Sequence, residues 1–166
     1  ILIRRRVVLA SVGLAALAGS AFWICAGPAR PSFHAGALEV TTIDVGQGDS
    51  ILLVSPQGRT LLVDAGGLPR WAHSELDIGE DVVSPYLWSR GFRQLDAVAI
   101  THAHSDHVGG MAAVVANFRP RELWLGSDQE SAEMKPVVTK ARELGVRVIQ
   151  HQAGENFEFG GAVVRS

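Results

Sequence analysis

Ten residues, Thr101-His102-Ala103-His104-Ser105-Asp106-His107-Val108-Gly109-Gly110, constrain this chain more than any other stretch. His102, His104, Asp106 and His107 carry imidazole and carboxylate, the groups that divalent zinc, iron or manganese accept. The apolar run Leu95–Ile100 before them reads as a buried strand. Two histidines one residue apart, just beyond a strand end, can point to the same side of an extended segment. Asp106 and His107 follow a bend and can serve a neighbouring second ion. Gly109 and Gly110 let the chain turn closely past the ions. The plain alternative, four polar residues scattered in a loop, accounts poorly for such a set placed between an apolar strand and an Ala/Val-rich helix.

The N-terminus sets a second constraint. Val7 to Ala26 is an uncharged run of 20 residues, about the length that crosses a bilayer core as a helix. Arg4–Arg6 supply the positive flank, and Trp23 can sit in an interfacial belt. Ser11, Ala15 and Gly19 recur at four-residue spacing, a small-residue face on which other transmembrane helices could pack. A secretory signal peptide is the rival reading, weakened by the length of the run and the missing initiator Met. The bulky Phe22-Trp23-Ile24 before Cys25 suits a lipoprotein signal poorly. The organisation expected is a basic flank and transmembrane helix over 1–27, a Pro-containing linker over 28–37, and a folded domain over 38–166.

Charge narrows the function classes. Arg4–Arg6 are three of the 15 basic residues and no acid precedes Glu39, so the chain beyond residue 27 holds 12 basic and 17 acidic residues. That balance argues against non-specific coating of DNA, which depends on neutralising phosphates. Bound metal would add local positive charge, so a catalytic encounter with phosphate stays open. Cys25 is the only cysteine, which excludes an intrachain disulfide.

Along the folded part, Leu38–Ile43 and Ser50–Ser55 read as strands, and Thr60–Asp64 as the return of a hairpin. The glycines of Gly46-Gln47-Gly48-Asp49 invite a phosphate-loop reading. It fails, because the stretch leads into a strand and lacks the lysine of a P-loop. Residues 68–77 form a surface loop and Gly79–Arg90 a helix despite Pro85. Helices over Val108–Phe118 and Ser131–Leu144, strands over Leu123–Leu125 and Val146–Ile149, and a hairpin around Gly160-Gly161 complete the chain. His34, His73 and His151 read as loop residues.

Strands in hairpins followed by strands alternating with helices predict layered α/β packing. With the metal motif, Asp44-Val45-Gly46-Gln47-Gly48-Asp49-Ser50, Leu62-Val63-Asp64-Ala65-Gly66-Gly67 and Val83-Ser84-Pro85-Tyr86-Leu87 fall in order at a familiar spacing. Together they resemble the metallo-β-lactamase superfamily, and within it the C-terminal domain of the ComEC family of DNA-uptake channels. The resemblance runs from about Leu38 onward. It implies an α/β (α+β) fold, the first half of an αββα sandwich, preceded by one transmembrane helix.

The resemblance also implies two divalent ions, zinc before manganese or iron. His102 and His104 would hold one ion and Asp106 and His107 the other, with Asp106 also catalytic in orienting the attacking water. Asp64 is implied as an outer support of the metal loop, though a self-satisfied turn cap explains it equally well. Asp49 lies near the site on the same grounds, or forms a plain tight turn. The activity expected is a membrane-anchored nuclease degrading DNA during uptake, in the cell membrane with its hydrolase domain on the extracytoplasmic side. Thioester, lactam or lactone hydrolysis is the rival within enzymes; a non-catalytic docking domain beside a channel is the rival outside them. The family draws further metal ligands from its second half, so these 166 residues alone are expected to be inactive and to expose apolar sheet surface.

Overall fold

The structure is a computed structural model describing residues 2–26, 31–69, 71, 74–126 and 131–165. His73 and the first residues of the expected linker, 28–30, lie outside the described residues. The chain divides into two units, 1–30 and 31–166. The first holds helix α1, Leu2–Ala26, whose span from Arg4 to Cys25 is long and apolar enough to cross a membrane. Its described side chains are exposed along its length.

The second unit is built on a six-stranded sheet. Strands β1 (Glu39–Thr42), β2 (Ile51–Val54) and β3 (Thr60–Val63) form an antiparallel meander. Strands β4 (Ala97–Ile100), β5 (Glu122–Leu125) and β6 (Arg147–Gln150) then add in order, each parallel to its neighbour, starting from β3. The sequence forces this change of direction. Five residues between β2 and β3 permit only a hairpin, whereas the long, helix-containing connections after β3 allow parallel return. Parallel pairing brings the C-terminal ends of β3, β4 and β6 to one edge, where Asp64, the 101–110 loop and His151 emerge. Loops beyond the carboxyl ends of parallel strands are where such sheets build their sites.

One face of the sheet is covered by helices. A π-helical turn, Gly79–Val83, runs into α2 (Ser84–Ser89); α4 (Met111–Phe118) and α5 (Met134–Glu143) lie beyond. Leu52, Leu62, Val98 and Leu123 of the sheet pack with Leu87, Met111, Val114, Phe118 and Val137 in the main core. Phe118 is fully buried, and cutting such a side chain back to alanine costs about 3–5 kcal/mol. The π turn has a local cause. The Ser84 amide and its hydroxyl both reach back to the Gly79 carbonyl, the hydroxyl at 2.7 Å, while Pro85 has no N–H to continue a regular ladder.

The opposite face is covered only in part, by the hairpin β7 (Asn156–Phe159) and β8 (Ala162–Arg165). Alternate residues of the same strands supply its smaller core, Leu61, Ala97 and Trp124 against Phe159. Beside the hairpin lies a trough of about 820 Å³ with a floor of Leu53, Val63 and Ala99.

Two expectations need correction. The helix expected over Val108–Phe118 is two helices, α3 (Ser105–Val108) and α4, parted at Gly109–Gly110. There the Gly110 amide bonds Gly66 O at 3.0 Å, and a Cβ on Gly110 would meet Ala65 O at 2.4 Å, so the chain is diverted onto a neighbouring loop. Segment 31–38 lies on the body: Arg90 Nη2 donates to Ser32 O at 2.9 Å and pairs with Glu39. The Arg90 hydrogen bond holds the Glu39 carboxyl below the usual carboxylate range, against a smaller opposing effect of burial.

Candidate metal centre

The metal loop leaves β4 at Ile100 and packs on two other loops. Ala65 N donates to His107 O at 2.9 Å, Gly66 N to Asp49 O at 2.9 Å and Gly110 N to Gly66 O at 3.0 Å, so three segments distant in sequence are stitched through backbone. Their approach is too close for side chains. A Cβ on Gly48 would fall 1.6 Å from Asp106 O, and one on Gly67 1.9 Å from Ser105 O. Gly48 also has φ +82°, a conformation glycine adopts freely. The glycines of Asp44–Ser50 and Leu62–Gly67 thus fix the height of the metal loop above the sheet.

Asp64 is the polar hub. It is 1% exposed and has φ +56°, the left-handed region that aspartate tolerates better than most residues. Its Oδ1 accepts the Thr101 N–H at 2.9 Å, closing the end of β4. Its Oδ2 accepts the Thr101 hydroxyl at 2.5 Å and lies 2.9 Å from His107 Nδ1. The same hydroxyl oxygen lies 2.9 Å from His102 Nδ1. One proton arrangement satisfies every contact: Thr101 donates to Asp64, while both imidazoles donate through Nδ1. That leaves Nε2 as the free donor atom of His102 and of His107, the role outer carboxylates play for metal-binding histidines.

The three imidazoles are gathered. The His102 ring centre stands 4.0 Å from that of His107 and 4.6 Å from that of His104. His104, in extended conformation, precedes α3; Asp106 and His107 sit in that helix's single turn. His102 and His104 are exposed, and Asp106 and His107 are half-buried. Asp49 lies at the rim, its Oδ2 3.8 Å from His107 Nδ1 and its side chain 65% exposed. The distance is too long for a hydrogen bond and short enough for charge to be felt. Among the described residues, no three His, Cys, Asp or Glu side chains already close around a single point. The donor set nonetheless fits divalent metal in chemistry: two imidazoles with Nδ1 engaged and a third beside them, a carboxylate in the adjoining turn, and a buried carboxylate behind them.

His151, the other histidine at this edge, is held elsewhere. Its Nδ1 lies 2.8 Å from Glu155 Oε2, its ring stacks on Phe157 at 4.5 Å, and Trp124 meets it edge-on. Sequence reasoning did not identify Thr101, which no metal chemistry flags. Its only signal was position, one residue before His102 at a strand end.

A family model described as the metallo-β-lactamase superfamily matches residues 43–165. The chain belongs to that superfamily. Among curated relatives of this superfamily member, ComE operon protein 3 of Bacillus subtilis (strain 168) is 34% identical over 127 residues. That match covers 70% of this chain and 16% of the relative. A metallo-β-lactamase from Cronobacter sakazakii, a mutant in its HARLDQ motif, superposes with a TM-score of 0.51 at 26% identity over 75% of this chain and 48% of that one. A subclass B3 metallo-β-lactamase from a soil metagenome gives 0.51 at 15% identity over 78% and 48%, a likeness of fold alone. The chain therefore spans about half the length of these solved structures. It has the metallo-β-lactamase fold and is related to a ComE operon protein.

Proposed function

We propose that this chain carries the metal-binding half of a membrane-anchored phosphodiesterase that degrades DNA in the course of DNA uptake. The observation that carries this reading is the Asp64 hub. A carboxylate 1% exposed holds Nδ1 of two histidines, directly or through Thr101, and so prepares their Nε2 atoms for divalent metal. His102 and His104 would hold one ion and Asp106 and His107 the other. Zinc suits this set best, with manganese or iron accepted. Two such ions, when bound, supply the charge that lowers the pKa of a water and offsets negative charge developing on a phosphate.

The chain's own residues do the rest. Asp106, in the turn shared with His107, orients the attacking water and takes up its proton. Asp64 and Thr101 keep the imidazoles in one tautomer and orientation. The glycine contacts hold the loop at the height this requires. The DNA substrate is favoured by the kinship with ComE operon protein 3, together with the Asp44–Ser50 signature. Helix α1 supports the anchoring, and Arg4–Arg6 on the cytoplasmic side put the hydrolase domain outside the membrane.

Asp106→Asn tests the chemistry in the full-length protein. The amide keeps the shape and loses the charge. Hydrolysis of DNA should fall at least about 100-fold with the fold retained. Turnover like the wild type's would remove Asp106 from the mechanism. Robust cleavage of a lactam or thioester, with none of DNA, would move the protein to those substrates.

A further inference from the structure

Gly67 and Gly79 each lie hard against the metal loop. Upstream, Gly67 rests against Ser105 O and Gly109; downstream, a Cβ on Gly79 would fall 1.9 Å from Gly110 O. The downstream end is fixed again by reciprocal bonds, Asp77 N to Asp81 Oδ2 at 2.8 Å and Glu80 N to Asp77 Oδ1 at 3.1 Å. Between these anchors Trp71 stands 79% exposed. It follows Gly67 by four residues, so its Cα lies within about 14 Å of that contact with the metal loop.

The other tryptophans of this unit have folding roles. Trp88 meets Phe118, and Trp124 packs against Phe157 and Phe159. Among the described residues Trp71 makes no such ring contact, and an indole left in water forgoes the burial that normally accounts for its presence. Charge says what it can hold. The chain beyond residue 27 is acidic, and Glu75, Asp77, Glu80 and Asp81 follow Trp71 closely. With Arg70 the only Lys or Arg between Gly67 and Gly79, such a stretch gives a polyanion little electrostatic grip. Stacking on the flat face of a base needs no charge and tolerates any sequence.

We propose that Trp71 is a stacking platform for a base of single-stranded DNA, setting which phosphate meets the metal loop. This rests on the phosphodiesterase reading above. A ring within reach of that loop holds the strand a few nucleotides from the bond to be cut, so remote binding is converted into register at the reacting centre.

The test uses the full-length protein in detergent, with Trp71→Ala and Trp71→Phe, on a single-stranded 12-mer of thymidine and on an abasic 12-mer. Trp71→Ala should raise KM for the thymidine strand about 10-fold or more, with kcat nearly unchanged. Trp71→Phe should recover most of that loss. The salt dependence of binding should be unaltered, because no phosphate contact is removed. On the abasic strand wild type and Trp71→Ala should be alike. Equal KM on the thymidine strand, from an active wild type, overturns the stacking role and leaves the phosphodiesterase reading standing. An equal loss on both strands overturns it in favour of a merely structural tryptophan. Unchanged DNA kinetics with lost binding to phosphatidylcholine vesicles overturns it in favour of a membrane contact. A wild type that neither binds nor cleaves either strand overturns both readings together.

Discussion

Two histidine-bearing loops leave the same edge of the sheet, one after β4 and one after β6, and they are built on opposite terms. The β4 loop presents His102, His104 and His107 with Nδ1 of two rings engaged and their Nε2 atoms free. It is held from below by a buried carboxylate and from the sides by backbone contacts that exclude any Cβ. The β6 loop holds His151 by its ring, between Phe157 and Trp124, with Nδ1 spent on Glu155 and Nε2 buried without a hydrogen-bond partner among the described residues. A strand-end histidine is thus no ligand by position alone. What separates the two is whether packing grips the backbone, freeing the ring, or grips the ring itself.

The sharpest way to break the contrast is at Gly48. Gly48→Ala must push the 44–50 loop off Asp106 O while adopting a left-handed backbone, and should cost at least about 2 kcal/mol of stability. Chemical denaturation reads this, and a stability like the wild type's would show that the close approach is not required.

Asp64→Asn comes next. Asparagine tolerates the left-handed conformation but replaces a carboxylate that serves three donors. Metal affinity should fall about 10–100-fold, measured by competition with a chelating dye. Unchanged affinity would reduce Asp64 to a turn cap.

At the other loop, His151→Phe should leave metal content untouched. It removes both a buried Nε2 that has no partner among the described residues and the exposed Nδ1 contact with Glu155, opposing effects, so stability should shift by less than about 1 kcal/mol in either direction. A lost ion would make His151 a ligand and erase the distinction.

The smallest effect is one of pH. The hydrogen bond with His151 holds the Glu155 carboxyl below its ordinary value, burial opposing it weakly. A lowered folded-state pKa stabilises above the ordinary glutamate value and is lost as pH falls through the folded one. Thermal melts between neutral and acid pH should therefore show a slightly flatter acid limb for Glu155→Gln. An identical acid limb would mean that the pair contributes nothing.

Much of this was legible in the sequence because it is written in local rules. Alternation and turn residues located the meander and the hairpin at Gly160-Gly161, and an apolar run ending at Ile100 put the histidines at a strand end. The αββα family fold followed from the order of four short motifs. What stayed hidden depends on contacts distant in sequence. Asp64 and Thr101 are 37 residues apart, and nothing local says that one will close the strand of the other. The break at Gly109–Gly110 was invisible for the same reason, since it is the Gly66 carbonyl that diverts the helix. Residues 28–37 read as a linker because Pro28 and Pro31 lie there among small and polar residues, whereas Arg90 ties Ser32 down from 58 residues away.

Metal content decides the central claim, that His102, His104, Asp106 and His107 form a two-ion centre. The full-length protein, purified from metal-supplemented medium, should carry two divalent ions per chain by elemental analysis. His102→Ala with His104→Ala should carry at least one fewer while melting as a folded protein. Two ions retained in the double variant would contradict the assignment and send the search for the ligands to another part of the molecule.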